Sequence, residues 1–495
     1  MIAVFWLFAV PIFANAGAEF EKIFEPRSKC AVAVQYVVEL EESRSKRQCV
    51  GMVAGDDGLV IVNSAEIPGI LRLESLKDFK VRIFGGDPEG YPADYLGADR
   101  ITGTHFIKIR GGLKAGMRPF NSFPRANCHM GDSLWGVVLD SESADFEPMM
   151  DEATLIRRGK YPLYIGCFSS PVASNSAPVF DKSGNFAGWA ASYDENDYIL
   201  YAGDKSGEVK LLDPNRASVM FMPEVVDELL ERIPENPAGD ASGWVGLIDL
   251  QILKSDVAKY LGLENKSAFV VSEIVKDSPA EKFGIKKGDI ITGYNGKPIE
   301  RLRNDLATLS NFWITLAKNK PGEKVSFEVI SGNSSPRELE VVLDSSPKSF
   351  RQSKFKYFKR LGFSVREFLV DDSIARKTFR RGDDIAVVQF VKPNSPASSA
   401  VPAALKQDDL IKEINSVPVR SYAEAVDILD KLESDKSAKE IVILAEDFSD
   451  AAAFLQASAE KELPENMLDE STAHCARASF IKSSNMNISA LISIS

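Results

Sequence analysis

Apolar and polar residues alternate in short runs over the first half of this chain, and short alternating runs are typical of β-strands. The run at 31–40 predicts a strand, and the polar stretch 42–48 after it predicts a loop. Apolar runs on either side of Asp56-Asp57-Gly58 predict a hairpin, because Asp-Gly is a favoured hairpin turn. A second hairpin is expected over 79–100, around a Gly-Gly-Asp-Pro turn. Further apolar runs are at 104–110, 133–140 and 185–194, with a helical pattern at 222–233. Many short strands between turns indicate a barrel or a sandwich.

The second half of the chain contains one pattern twice. Residues 277–299 and 394–419 each contain Ser-Pro-Ala, a turn with aspartate, a short apolar strand and Asn-x-x-Pro. An apolar strand pattern precedes each copy, at 268–275 and at 385–392. An internal repeat of this size indicates two copies of one structural module.

Each copy continues in the same order, with a helical stretch and then a closing strand. In the second copy the helix opens on Ser421 and Glu424, a capping box that satisfies free N–H groups at a helix start. The closing strands are predicted at 324–330 and 439–445. This order over about 100 residues resembles the circularly permuted PDZ domain of bacterial type.

The resemblance to PDZ domains implies a peptide site in each copy. A PDZ domain holds the terminal carboxylate of a peptide on backbone N–H groups of a glycine loop, and the peptide adds as a strand beside it. Glycine is needed there because the backbone must approach the carboxylate closely. As isolated motifs, the two matching loops would favour ordinary glycine turns beside core strands, but their place in the repeat favours PDZ loops. The matching residues are Trp244, Val245, Gly246 and Leu247 in the first copy, and Arg360, Leu361, Gly362 and Phe363 in the second.

The two copies differ in ways that favour the first for binding. The first keeps the Gly288-Asp289 turn and the shorter spacing, whereas the second contains an insertion around Pro402. We therefore expect the first copy to bind peptides with a free carboxylate, and the second to be structural. The basic, aromatic segment 348–360 is interpreted as a solvated linker into the second copy.

Composition and charge exclude some classes of protein. A length of 495 residues with 44% hydrophobic and 26% charged residues suggests about three packed domains. The net charge of −12, without a long basic run, argues against a nucleic-acid partner. No phosphate loop or cluster of metal ligands is visible, so neither a cofactor nor a metal is expected. Carboxylate pairs such as Asp56-Asp57 and Asp371-Asp372 are interpreted as turn residues.

The N-terminus is typical of an exported protein. Residues 1–16 are mostly apolar and end in Ala-Asn-Ala, which matches a signal peptidase site. No Lys or Arg precedes the apolar run, which leaves two further alternatives: a start that lies upstream, or a segment retained as a membrane anchor. We expect a periplasmic or extracellular protein with Gly17 as its mature N-terminus.

Five cysteines occur, and none belongs to a Cys-x-x-Cys pair, which argues against a zinc site. Export would permit disulfides. Four cysteines lie in the first domain, where three different pairings are possible, and the fifth lies in the tail. They are Cys30, Cys49, Cys128, Cys167 and Cys475.

Barrel-type strands followed by two PDZ-like modules resemble the HtrA/Deg family, over residues 30–446. The resemblance implies a mainly β fold with α+β modules, a trypsin-like double β-barrel followed by two PDZ domains, and assembly as a homo-trimer. The expected boundaries are a signal peptide at 1–16, a protease-like domain at 25–235, PDZ domains at 243–346 and 355–447, and an unassigned tail at 452–495.

The family resemblance also indicates where catalytic residues should lie. The family's Asn-Asn-His-Val motif aligns with residues 63–66, which places Ala65 at the position of the general base. The family's orienting aspartate aligns with Gly103, and Gly-Asn-Ser-Gly-Gly aligns with 173–177, which places Asn175 at the nucleophile. Neither Ala65 nor Gly103 can accept a proton, so we expect the triad to be absent.

Two functions therefore follow from the sequence. The first is a pseudoprotease that binds peptide C-termini or unfolded exported proteins through its PDZ domains, as a chaperone-like factor or scaffold in protein quality control. The second is a divergent serine endopeptidase, in which Ser174 or Ser176 serves as a shifted nucleophile and His105 as base. The residues at the triad positions favour the first.

Overall fold

A computed structural model describes residues 16–69, 71–191, 216–264, 266–332, 334–379, 385–446 and 487–493. The chain divides into two compact units, residues 1–240 with 302–315, and residues 241–301 with 316–495. Most of the proposed signal peptide lies outside the described residues, and α1 (Ala16–Ser28) is the first element. Within the described ranges, no helix has both the length and the apolar character needed to cross a bilayer.

Six strands of the first unit close into an antiparallel barrel in the order β1-β2-β3-β6-β5-β4. They are β1 (Ala31–Glu39), β2 (Arg44–Val53), β3 (Leu59–Val62), β4 (Leu76–Arg82), β5 (Tyr91–Ala98) and β6 (His105–Ile109). Its core is rich in β-branched residues such as Val34, Val60 and Ile107, each fully buried. Burial of such a side chain contributes about 1.5–3 kcal/mol.

Both hairpins predicted in this barrel are confirmed, and one loop prediction is wrong. Met52 pairs with Ile61 around the Asp-Asp-Gly turn, and Lys80 pairs with Pro92 around the second turn. The polar stretch 42–48 is not a loop, because most of it belongs to β2. Residues 44–52 of this strand pair with β1, so the backbone ladder rather than side-chain burial keeps these polar residues extended.

A second closed barrel follows in the same unit, in the order β11-β12-β14-β9-β8-β7. The elements are β7 (Ser133–Leu139), β8 (Pro148–Lys160), β9 (Tyr164–Phe168), β10 (Ala173–Ser174), β11 (Pro178–Asp181), β12 (Phe186–Ala190), β13 (Arg216–Ala217), β14 (Val219–Phe221) and α2 (Pro223–Leu230). The short strands β10 and β13 form a separate pair beside it. Trp189 and Phe180 are fully buried in its core. The first unit is thus a double β-barrel.

The first copy of the repeat is an antiparallel sheet in the order β16-β17-β18-β20-β21. Its elements are β15 (Gly243–Trp244), β16 (Leu247–Ile252), α3 (Ser255–Tyr260), β17 (Phe269–Ile274), α4 (Pro279–Lys282), β18 (Ile290–Tyr294), β19 (Lys297–Pro298), α5 (Asp305–Ala317), β20 (Lys324–Ile330), β21 (Arg337–Val342) and β22 (Asp344–Ser345). The strand after the glycine loop, β16, is therefore an edge strand. The strand before the loop, β15, pairs with β22 instead.

The second copy is a larger sheet in the order β23-β24-β25-β27-β29-β30-β26. Its elements are β23 (Phe355–Phe358), β24 (Phe363–Glu367), α6 (Val370–Ala375), β25 (Ala386–Val391), β26 (Val401–Pro402), β27 (Leu410–Ile414), β28 (Val417–Pro418), α7 (Tyr422–Ser434), β29 (Glu440–Glu446) and β30 (Asn487–Ser493). The insertion around Pro402 supplies β26, which pairs with β30 from the tail.

The two copies share their hydrogen bonds as well as their strand order. The Asp289 and Asp409 carboxylates accept the N–H groups of Lys286 and Lys406, at 2.8 and 2.9 Å. The side chains of Asn295 and Asn415 likewise each accept a backbone N–H from the closing strand of their own copy. The aspartate bonds are local and fix the turn, and the asparagine bonds tie the closing strand to it, so the repeated sequence gives the same geometry twice.

Two further sequence interpretations need correction. Segment 348–360 is not a solvated linker, because residues 355–358 form β23 within the second sheet. Asp371 and Asp372, which read as turn residues, lie in α6. There the Asp372 carboxylate accepts two hydrogen bonds from Arg366, at 2.6 and 2.7 Å. A bidentate pair of this kind needs a strand and a helix brought together by the fold.

Candidate functional site

The segment that aligns with the family's general base is a tight polar turn after β3. Residues Ser64–Glu66 form one turn of 3₁₀ helix, and the Asn63 side chain caps it by accepting the N–H of Ala65 at 3.1 Å. The backbone N–H of Asn63 donates to Ser176 Oγ at 2.8 Å, although the two residues belong to different barrels. The turn is therefore fastened to the loop that aligns with the nucleophile.

Gly103, at the position of the orienting aspartate, lies against the same turn. Its φ of +69° is in the left-handed region that favours glycine. A Cβ atom placed on it would lie 2.7 Å from Ser64 Cβ, so the site has no room for a side chain unless the turn moves. The structure thus brings positions 65, 103 and 175 to one place.

The loop at 173–177 is buried, and its polar side chains are hydrogen-bonded. Asn175 is buried and its side chain bonds to Glu66. Ser174 Oγ accepts the N–H of Leu139 at 3.2 Å, and Ser176 Oγ accepts that of Asn63. Both hydroxyls are buried, so both candidate shifted nucleophiles serve as acceptors inside the fold.

Ser176 adopts a conformation that usually belongs to glycine. Its φ is +68°, and the family motif has glycine at this position. A left-handed conformation costs a residue with a Cβ atom roughly 1 kcal/mol. The Ser176 carbonyl accepts the indole N–H of Trp189 at 2.7 Å, and its own N–H donates to Ala190 at 2.8 Å. These contacts hold the loop in place despite that cost.

Glu66 is the titratable group that the sequence reasoning missed. Burial raises its pKa from an ordinary 4.5 to about 7, and its hydrogen bond with Asn175 partly opposes that rise. The pKa of the Cys49 thiol is raised mainly by burial, and the nearby charge of Glu66 raises it further. Sequence alone aligned Glu66 with a valine, and only its burial reveals it as a group that titrates near neutral pH.

His105 and the four described cysteines lie in the double barrel or directly beside its strands. His105 begins β6, is buried, and shares a 2.9 Å hydrogen bond between its Nδ1 and the Tyr95 hydroxyl. The four cysteines of the first unit are free thiols, and burial raises the pKa of Cys128 to about 11. Cys475 lies outside the described residues. Among the residues that the structure describes, no three His, Cys, Asp or Glu side chains are grouped to hold a metal ion.

The glycine loops of the two copies have the same geometry. Gly246 and Gly362 have φ values of +86° and +79°. A Cβ atom on either would lie 2.1 or 2.2 Å from the Cβ of Ser278 or Ser395, the serine of each Ser-Pro-Ala motif. This close approach explains why the motif and the glycine occur together in both copies.

Backbone bonds around each loop match as well. The Gly246 carbonyl accepts the N–H of Val275, and the Gly362 carbonyl accepts that of Lys392, both at 2.8 Å. Leu247 and Phe363, which follow the glycines, are buried in their own sheets. The predicted loop residues are therefore brought together in both copies, but the environments of the two loops differ, as described below.

A PDZ domain model matches residues 270–310. A protein of Pseudomonas fulva, "Probable periplasmic serine endoprotease DegP-like", is 24% identical over 411 residues, which cover 78% of this chain and 74% of that protein. A protein of the same description from Chlamydia pneumoniae is 21% identical over 82% of this chain and 75% of its own length. The Escherichia coli "Periplasmic pH-dependent serine endoprotease DegQ" is 32% identical over 177 residues, 36% of this chain and 34% of that protein.

Solved structures have the same fold. A variant of the HtrA-type protease AlgW, with a decapeptide, superposes with a TM-score of 0.50 and 15% identity, covering 66% of this chain and 98% of that one. The chain is therefore similar to the HtrA/Deg family over most of its length, and its fold is a trypsin-like double β-barrel followed by PDZ domains.

Proposed function

We propose that this protein is an exported HtrA-like pseudoprotease that binds polypeptides with free C-termini. The proposal rests on which residues occupy the three positions that align with the family's catalytic triad. The segments that align with the three catalytic positions meet, and they contribute Ala65, Gly103 and Asn175. None of these side chains can serve as base, orienting carboxylate or serine nucleophile.

The chemistry of acyl transfer makes these replacements decisive. A serine hydroxyl is a weak nucleophile until a neighbouring base removes its proton. Loss of nucleophile or base in a serine protease lowers turnover on the order of a millionfold. Hydrogen bonds that tie Asn63 to Ser176 and Glu66 to Asn175 support a structural role for the cluster.

Peptide binding is supported by the first copy of the repeat. Its strand β16 lies at the edge of a sheet, directly after the Gly246 loop. An edge strand offers unpaired backbone groups to which an extended peptide can add. A terminal carboxylate would then lie on the N–H groups of the loop, with charge-assisted hydrogen bonds.

Export and a role in protein quality control complete the proposal. The relatives are described as periplasmic, and the apolar residues 1–16 end in a signal peptidase pattern. We propose a periplasmic protein that holds unfolded exported chains, as a chaperone-like factor or scaffold.

The alternative function is a divergent serine endopeptidase, which the descriptions of the relatives favour. It requires Ser174 or Ser176 to leave its acceptor role and become an exposed nucleophile. Buried hydroxyls that accept backbone N–H groups argue against this alternative.

One experiment separates the two functions. The purified chain is incubated with unfolded casein and, separately, with a fluorophosphonate probe for activated serines. We expect neither cleavage nor labelling, together with binding of a free-acid peptide that weakens sharply when its C-terminus is amidated. Labelling that disappears in Ser174→Ala or Ser176→Ala would overturn the pseudoprotease proposal, and equal binding of the acid and the amide would overturn the carboxylate loop.

A further inference from the structure

The carboxylate loop of the second copy already holds a carboxylate. Glu433, on α7, accepts the backbone N–H of Arg360 at 2.7 Å through one oxygen and that of Leu361 at 3.3 Å through the other. The next N–H, of Gly362, donates to the Phe358 carbonyl at 2.8 Å. The N–H groups of Arg360, Leu361 and Gly362 are therefore all satisfied within the chain.

A strand already lies beside β24, where a peptide would add. β23 pairs antiparallel with β24, from Phe355 opposite Arg366 to Phe358 opposite Phe363. The C-terminal end of β23 adjoins the loop. A peptide held by its terminal carboxylate would run along β24 in the same direction, with its C-terminus at the loop. Because β25 pairs with the other side, β24 has no free edge.

The same strand also contacts the helix that would border a peptide groove. α7 packs against both β23 and β24. Lys356 Nζ lies 2.7 Å from Asp430 Oδ2 on this helix. Phe358 is 1% exposed and packs in the same core as Ala425 and Leu429 of α7. Phe358 thus occupies the place of an apolar last residue.

Arg360 strengthens this arrangement from the loop side. Its guanidinium donates to the carbonyls of Leu432 and Asp435 at the C-terminal end of α7, the second at 2.8 Å. Cations are favoured at that end of a helix. The Arg360 side chain therefore bonds from the loop to the end of α7, and the Glu433 side chain bonds from α7 to the loop, so the two segments are joined twice.

The first copy lacks both features. Its strand before the loop, β15, pairs with β22 rather than with β16. Helices α5 and α7 are each 13 residues long, and the twelfth residue is Leu316 in the first and Glu433 in the second. No carboxylate therefore stands at the matching position of the first copy.

We propose that the second PDZ module is occupied by its own chain. Residues 355–358 take the place of the peptide strand, and the Glu433 carboxylate takes the place of the peptide's terminal carboxylate. External peptides consequently bind through the loop at Gly246 alone. That last assignment rests on the proposed function, whereas the self-occupied state of the second module does not.

Residue-resolved hydrogen exchange on the full chain tests this proposal. The probe is a short peptide that ends in Leu-Val with a free carboxylate. In the wild type, the amides of Arg360 and Leu361 should be protected with or without peptide, while peptide should add protection near Leu247. In Glu433→Ala the two amides should exchange on the order of tenfold faster. Asp427→Ala, an exposed carboxylate on the same helix, should change neither.

Several outcomes would overturn the proposal. Peptide-dependent protection at Arg360 and Leu361 in the wild type would show an open second module. Equal exchange in wild type and Glu433→Ala would show that the carboxylate does not hold the loop. If Glu433→Ala unfolds the sheet, Glu433→Gln keeps the shape without the charge, and it should still accelerate exchange at the two amides. A peptide that protects no amide at all would contradict the proposed function. The comparison of wild type with Glu433→Ala would still test whether the second module is occupied by its own chain.

Discussion

Replacement of Glu66 by glutamine should remove a pH-dependent cost to the stability of the double barrel. The folded state holds the carboxyl proton with a pKa of about 7, against an ordinary 4.5. Between these values the folded chain keeps a proton that the unfolded chain releases, so the free energy of unfolding falls as pH rises through this window. Above it the full cost applies, on the order of 3 kcal/mol. Glutamine has no charge to desolvate and can still bond to Asn175.

The assay is urea unfolding followed by tryptophan fluorescence, since Trp135 and Trp189 lie in the second barrel. Glu66→Gln should match the wild type at about pH 4 and exceed it by up to about 3 kcal/mol at about pH 8. Glu147→Gln, at an exposed position in the same unit, is the matched control and should leave the profile unchanged. A difference between Glu66→Gln and wild type that stays constant with pH would refute the reasoning.

Three further substitutions test other parts of the fold. Ser176→Ala leaves the buried N–H of Asn63 without its acceptor and should lower the free energy of unfolding by about 1–3 kcal/mol. An unchanged urea midpoint would contradict this prediction. Asp372→Ala removes the bidentate partner of Arg366 and should cost about 3–5 kcal/mol in thermal or urea unfolding, whereas exposed Asp371→Ala should cost far less. Gly246→Val forces a Cβ to 2.1 Å from its neighbour and should abolish peptide binding in a fluorescence anisotropy titration; retained affinity would argue against the loop.

The sequence by itself determined the features that depend on local pattern. The repeat was visible because each copy uses the same Ser-Pro-Ala, aspartate and asparagine residues. In the structure the aspartate fixes a turn in each copy, and the asparagine bonds to the closing strand of the same copy. Hairpins around Gly58 and at 79–100 were predictable because turn residues set the backbone angles locally. The identities of Ala65, Gly103 and Asn175 could likewise be read directly from the alignment of motifs.

The tertiary structure decided which partner each segment has. Residues 44–48 are polar and still form a strand, because β1 supplies a complete backbone ladder. Glu66 became a titratable site only when the second barrel buried it against Asn175. The basic segment before Gly362 has the composition of a linker, yet it pairs with β24, and Glu433 on α7 closes the loop. Pairing and burial depend on residues far apart in the chain, and a local pattern of apolar and polar positions carries no information about them.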